Sequence, residues 1–273
     1  MTASGQFTIA LAQCTVRSGA VADNRERART MIARAAARGA DLVALPELFT
    51  AGYFAFDEYE RASEPLDGET AAMVAEAAAA HDVAVLAGTI VEDLSATESA
   101  PTPAEEGLAN TAMLFDAAGE RRLVYRKHHL FGYESAESEV LVAGDAVDVA
   151  DIGPFTIGVT TCYDLRFPEL YRTLVETGAT LVLVPSAWPY PRIEHWQTLS
   201  RARAIENQLF LAAVNGSGSF PDATLLGRST VYDPWGTPVA SIGDEAGLVV
   251  ADVDPSQVSR VREEFPALAD RRQ

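Results

Sequence analysis

The chain has 273 residues, 48% apolar and 22% charged, enough to bury a sizeable core and too apolar for a disordered segment. No apolar run reaches the roughly 18–20 residues that span a bilayer, and a formal net charge of −18 repels the phosphates of nucleic acids and anionic membranes. The two cysteines, Cys14 and Cys162, and the four histidines form neither a disulfide framework nor a metal-ligand spacing, so no metal or cofactor is expected.

No basic start precedes the first apolar stretch, which reads as a strand rather than a secretory leader, so the expected compartment is the cytoplasm. Phe7–Gln13 is that strand. Asn24–Arg38 is predicted as an alanine-rich helix with Asp23 available as its cap. Asp41–Leu45 is a strand stopped by Pro46, Glu69–His81 a second alanine-rich helix, and Ala84–Ile90 another strand. Glu92–Gly107 is polar, holds Pro101 and Pro103, and reads as a mobile surface loop. Asn110–Phe115 and Arg122–Arg126 flank a hairpin turn at Asp116–Glu120. Phe155–Thr161 is a strand running into Cys162, followed by a helix at Leu170–Glu176, a strand at Leu181–Pro185 and a long helix at Glu194–Asn207. Phe210–Asn215, Ser229–Asp233, Pro238–Ile242 and Gly247–Val253 complete the strands. Strands interspersed with helices, with no linker between them, indicate one α/β layered domain over residues 1–273.

Three positions combine chemistry with placement. Cys162 lies where a strand turns toward a helix, so backbone N–H groups can face developing negative charge and a helix N-terminus would lower the thiol pKa. Glu47 follows a strand and its terminating proline, at the strand end where open α/β sheets carry their sites. Partial burial there would raise its pKa and suit it to accept a thiol proton. Lys127 ends an apolar strand and could project its ammonium toward an oxyanion. Taken singly, each has an ordinary alternative: a buried structural cysteine, a solvated glutamate, an exposed lysine. Cys14, with no polar flank, reads as structural.

The segments PELF around Glu47, YRKHHLF around Lys127 and TCYDLRFPEL around Cys162, in that order, resemble the nitrilase superfamily of carbon–nitrogen hydrolases. The resemblance runs from the ALAQ strand to REEFP near the end, and CYDLRFPEL with SAWPYPRIEHWQTLSRARAIENQ is similar to the ω-amidase and deaminated-glutathione-amidase branch. It implies an αββα sandwich that dimerises as αββα–αββα, with the helix carrying Arg203 and Glu206 at or near the dimer surface. It implies Glu47 as general base, Lys127 as support for the tetrahedral intermediate and Cys162 as nucleophile. A second family glutamate matches Glu137 best, with Glu134 and Glu139 as alternatives. The implied reaction is hydrolysis of a small carboxamide through a thioester, the oxyanion also held by the Tyr163 backbone N–H. A nitrilase or an N-carbamoyl amidohydrolase of the same superfamily is the alternative. Losing Lys127 is expected to cost orders of magnitude in rate and leave the fold nearly intact.

For specificity, Arg166 is the candidate to bind a substrate carboxylate, its alternative being an internal salt bridge with Asp164, Glu169 or another acidic residue. Trp188 and Tyr53 are candidate walls of the acyl site, with core packing as the other reading. His195 and Trp196 are expected to pack. Arg203 and Glu206, three apart on a helix, suit a local ion pair.

Overall fold

Alternation along the strands divides their side chains between two cores. In β1 (Phe7–Gln13), Ile9 and Leu11 enter a core shared by two sheets, while Ala10 and Ala12 face helices on the other side. The computed structural model describes residues 5–133, 135–221 and 223–272. The first half comprises β1, α1 (Val21–Ala36), β2 (Leu42–Ala44), α2 (Tyr59–Ala62), α3 (Glu69–His81), β3 (Ala84–Leu86), β4 (Ile90–Asp93), β5 (Leu108–Phe115), β6 (Arg121–Arg126) and α4 (Glu137–Val140). The second comprises β7 (Val149–Ile152), β8 (Phe155–Val159), α5 (Pro168–Glu176), β9 (Leu181–Ser186), α6 (Ile193–Asn207) and β10 (Phe210–Asn215). It continues with β11 (Ser217–Phe220), β12 (Ala223–Leu226), β13 (Thr230–Tyr232), β14 (Pro238–Ser241), β15 (Gly247–Val253) and α7 (Ser256–Glu264).

One sheet runs β15-β1-β2-β3-β5-β4 with β6 added to β5, and the other runs β14-β13-β10-β9-β8-β7. Both are mixed, with parallel pairs at their centres: β1–β2 and β2–β3 in one, β8–β9 and β9–β10 in the other. Helix α1 presents Ala28, Met31, Ile32 and Ala35, an i, i+3, i+4, i+7 stripe, to the first sheet. Helix α5 covers the second sheet with Leu170, Tyr171 and Leu174, and α6 adds Trp196 and Ala204. The resulting layers are helix, sheet, sheet, helix.

Several boundaries differ from the sequence reading. Helix α1 starts at Val21 with Ala20 as an N-cap that has no side-chain bond, so Asp23 does not cap it but lies in its first turn. The anchor is Asn24, whose amide donates to the carbonyls of Arg17 and Thr50. The expected strand Ala84–Ile90 breaks after Leu86, because Gly88 adopts φ +49° and a Cβ there would lie 2.0 Å from the Pro46 carbonyl oxygen. Glu92 and Asp93 then belong to β4. The polar segment beyond them is tied down rather than free: Arg126 donates to the Pro101 carbonyl at 2.8 Å and Arg121 to that of Ser99 at 3.2 Å, while Leu94 and Thr97 are buried. The strand before Cys162 ends at Val159, and the following helix starts earlier than expected, at Pro168. Strand β7, the β11–β12 hairpin and α7 had no counterpart in the sequence reading. The α7 sequence, SQVSRVREE, buries only Val258 and Val261, too sparse a stripe to stand out.

Candidate active site

The three predicted residues meet at one end of the two sheets. Glu47 follows β2, in a turn where Leu48 takes φ +45° and its N–H donates to Thr89 Oγ1 at 2.7 Å. Lys127 directly follows β6, held by its own N–H to the Asn110 carbonyl and by Gly144 N–H to its carbonyl, each at 2.9 Å. Cys162 opens a five-residue 3-10 turn, Cys162–Arg166, with φ +47°. A non-glycine residue at positive φ is strained, and such strain persists only where the surroundings hold it.

Lys127, fully buried, is clamped between two carboxylates. Its Nζ lies 2.9 Å from Glu47 Oε1 and 2.7 Å from Glu137 Oε1. Asn110 Nδ2 donates to both glutamates, at 2.8 Å and 3.2 Å. Glu137 Oε2 further accepts from Tyr53 Oη at 3.0 Å and from the Phe131 N–H at 2.8 Å. Glu47 Oε2 accepts the Ala187 N–H at 2.8 Å. Glu137 is therefore the second glutamate at the site. Glu139 is exposed, and Glu134 lies outside the described residues.

Burial dominates the electrostatics. It raises the Glu47 pKa, an effect the Lys127 ammonium counters and the Glu137 charge reinforces. For Lys127, burial alone would lower the pKa, but Glu137 and Glu47 outweigh it and hold the amine protonated well above the ordinary lysine range. Burial, then the Glu47 charge, push the Cys162 thiol well up, opposed by Lys127 and the Ala187 N–H. The expectation of a thiol acidified by a helix N-terminus therefore fails. Burial pushes both Cys162 and Glu47 toward their protonated forms.

Asp164, wholly buried, fastens the two sides of the site together. Its Oδ2 accepts from Tyr125 Oη at 2.6 Å and from the Thr161 N–H at 2.9 Å. Its Oδ1 accepts the His129 N–H at 2.9 Å and lies 2.8 Å from His129 Nδ1. Tyr125 and His129 flank Lys127 at two residues on either side, and Asp164 stands two after Cys162. One carboxylate thus spans the segments that carry the amine and the sulfur. Asp164 and Glu169 form no ion pair with Arg166 among the described residues, which removes the internal salt bridge suggested for it.

A cavity of about 50 Å³ opens on Cys162, walled by Tyr53, Phe131, Tyr163, Arg166, Trp188 and Arg192 among others. Wider, shallow depressions elsewhere, such as one along Gly19–Arg25 and Arg61–Glu69, hold none of the three residues. Trp188 and Tyr53 are both buried and both wall the cavity, so each does what the two readings offered separately. The Arg166 guanidinium lies 4.9 Å from the Trp188 ring and 5.7 Å from the Tyr163 ring, with Nη2 3.3 Å from His195 Nδ1. Tyr163 is the second residue of the 3-10 turn, where an N–H has no partner within the turn. Trp196 packs in the core as expected, whereas His195 is exposed beside Arg166 instead of packed. Arg203 pairs with Glu206 at 2.6 Å and also donates to the Leu165 carbonyl.

Sequence reasoning missed Asn110, Ala187 and Arg192. Ala187 acts through its backbone, and no side-chain signal could mark it. Asn110 offered one: with Thr111 it is a polar break in the otherwise apolar strand LANTAMLF, where every residue after the first is buried.

This arrangement, a thiol, a carboxylate and an ammonium converging in a four-layered α/β fold, defines a cysteine hydrolase of carbonyl–nitrogen bonds. The chain belongs to the carbon-nitrogen hydrolase family, whose model matches residues 8–263. It is 37% identical over 237 residues to the 2-oxoglutaramate amidase of Paenarthrobacter nicotinovorans, covering 85% of this chain and 79% of that one. To the 2-oxoglutaramate amidase of Bacillus subtilis it is 34% identical over 266 residues, 97% of each chain. Among solved structures, a variant of the amidase from Nesterenkonia sp. AN1 aligns with TM-score 0.80 and 28% identity, over 99% of this chain and 95% of that one. That structure carries the acetamide moiety of fluoroacetamide covalently on its active-site cysteine.

Proposed function

We propose that the protein is an ω-amidase-like hydrolase in which Cys162 carries the acyl group, Glu47 moves the protons and Lys127 holds the oxyanion. Glu47 takes the proton from Cys162 Sγ as the sulfur attacks the amide carbon. Negative charge passes from carboxylate to sulfur to the carbonyl oxygen, where the Lys127 ammonium and the Tyr163 N–H receive it. Glu47 returns the proton to the leaving nitrogen, ammonia departs, and Glu47 then draws a proton from the water that opens the thioester. Glu137 keeps Lys127 charged and aimed throughout. The net charge of the cluster is unchanged by the first transfer, which suits a buried site. The observation that carries this reading is Lys127 Nζ held between Glu47 and Glu137 behind a cavity that opens on Cys162.

A carboxylate at the far end of the substrate would meet Arg166, as the names of the two 2-oxoglutaramate amidases suggest by similarity. Ammonia release from 2-oxoglutaramate, measured against a nitrile and a ureido acid of the same length, tests the reaction class. Turnover of the nitrile or ureido acid in preference to the amide would overturn it. The chain also has an exposed apolar patch where α6 meets the C-terminal segment: Ile205, Trp235 and Phe265 are 48%, 45% and 56% exposed, with the two rings 6.2 Å apart. This patch is the proposed homodimer contact. Sedimentation should show a dimer that Ile205→Glu dissociates, and a monomeric wild type would remove the proposal.

A further inference from the structure

The cavity has a second cation at its rim. Arg192 walls it together with Arg166, and the Arg192 guanidinium lies 5.9 Å from the Phe131 ring. Among the described residues, neither guanidinium has a carboxylate partner within salt-bridge distance, in a chain of net charge −18 where nearly two acidic residues are available for each basic one. The backbone that carries Arg192 is fixed from within the same wall, because Trp188 Nε1 donates to the Arg192 carbonyl at 3.1 Å. Arg192 also stands at the N-cap of α6, whose N-terminal end adds positive potential at the same place. The aromatic supports of the two arginines are different. Arg166 lies by Trp188 and Tyr163, and Arg192 by Phe131, which is in turn placed by the Glu137 bond to its N–H.

We infer that Arg192 is a specificity-determining residue, a second jaw that works with Arg166 to grip a carboxylate at the end of the substrate remote from the amide. The inference rests on the amidase reading above and narrows its substrate class to monoamides of short dicarboxylic acids. The apolar walls of the cavity accept the acyl chain. A carboxylate emerging at the rim exchanges water for two guanidiniums, each able to offer parallel N–H donors. A neutral amide of equal length fills the same walls and leaves the guanidiniums to solvent, so selectivity comes from the rim and catalysis from the floor.

The test is the ratio of kcat/KM for succinamate to that for butyramide, in wild type, Arg192→Gln, Arg192→Lys and Arg38→Gln. Arg38 is exposed just beyond α1 and controls for the change in net charge. Near-UV circular dichroism and denaturant unfolding check that each preparation is folded. Wild type should favour succinamate, and Arg192→Gln should lower the ratio roughly ten- to a hundredfold, the range for a hydrogen bond between charged groups. Arg192→Lys, which keeps charge but loses the fork, should fall between. A ratio in Arg192→Gln that moves no more than in Arg38→Gln overturns the second jaw. A wild type that hydrolyses both amides equally removes the carboxylate grip while leaving the amidase reading intact. A wild type that hydrolyses neither sinks the amidase reading itself.

Discussion

The two cysteines of this chain are alike in burial and opposite in company. Cys14 closes β1 at 5% exposure, and burial pushes its thiol up to about 12, with the distant help of only one charge, Arg27, in the other direction. Cys162 is 9% exposed and its thiol is also pushed up by burial. It differs in its company: the Glu47 carboxyl and the Lys127 ammonium both act on the thiol, and a cavity lies in front. A low resting pKa is therefore not what separates a nucleophile from a structural thiol here. In the proposed mechanism the difference is whether the proton has somewhere to go at the moment of attack. The largest expected contrast follows: Cys162→Ala should lower amide hydrolysis by roughly 10⁴-fold or more, whereas Cys14→Ala should stay within about twofold. Steady-state ammonia release reads both, and comparable losses would erase the distinction.

A second contrast lies between neighbours at the end of β6. Arg126 and Lys127 are adjacent and point to opposite sides of the strand. Arg126 meets Glu92 with two bonds, at 2.7 Å and 2.8 Å, and the charges cancel. Lys127 meets two carboxyl groups, and all three side chains are buried. Lys127→Met should cost roughly 10²–10³ in kcat as an oxyanion contact is lost. It should also destabilise the fold by about 3–5 kcal/mol, because two buried carboxylates lose their counter-ion. This revises the sequence-based expectation that the fold would barely notice, and denaturant unfolding decides between the two.

The burial of Glu47 also sets a pH dependence. Glu47 must be ionised to accept the thiol proton, and burial raises its pKa. Activity should therefore be present above that raised value and lost as pH falls through it, at a pH higher than an ordinary carboxylate would give. Lys127, held protonated well above the usual lysine range, should add no alkaline limb within that range. An acid limb at the position of a solvated glutamate would contradict the burial argument. The smallest effect should come from Asp164→Asn, which replaces one acceptor oxygen of the brace between the Lys127 and Cys162 segments. A loss of about 1–3 kcal/mol in stability is expected, with kcat falling about tenfold and KM little changed. An unchanged kcat would reduce Asp164 to a purely structural bond.

Much of the site was legible because each principal residue follows a strand: Glu47 after DLVALP, Lys127 after LVYR and Cys162 after the strand beginning FTIGV. Strand ends are readable from apolar runs, and the order of three such motifs added specificity. What stayed hidden acts across the sheet or through the backbone. Asn110 bridges Glu47 and Glu137 from the middle of β5, and its role exists only once β5 and β6 pair. The Ala187 N–H comes from the far side of the sandwich, 140 residues from Glu47. Arg192 was read past as part of PRIEHWQ because nothing in the sequence says which wall α6 begins against. In the fold, the break at Gly88 depends on the approach of the Pro46 carbonyl, a contact no local pattern encodes.

The proposed reaction requires that one particular sulfur, that of Cys162, be the nucleophile. Intact-mass and peptide mass spectrometry of the Glu47→Gln variant, in which amide turnover is blocked, after exposure to fluoroacetamide address it directly. One acetamide-derived adduct per chain should appear, on the peptide containing Cys162, with Cys14 unmodified in the folded protein. Absence of any adduct, or one that falls on Cys14, would contradict it.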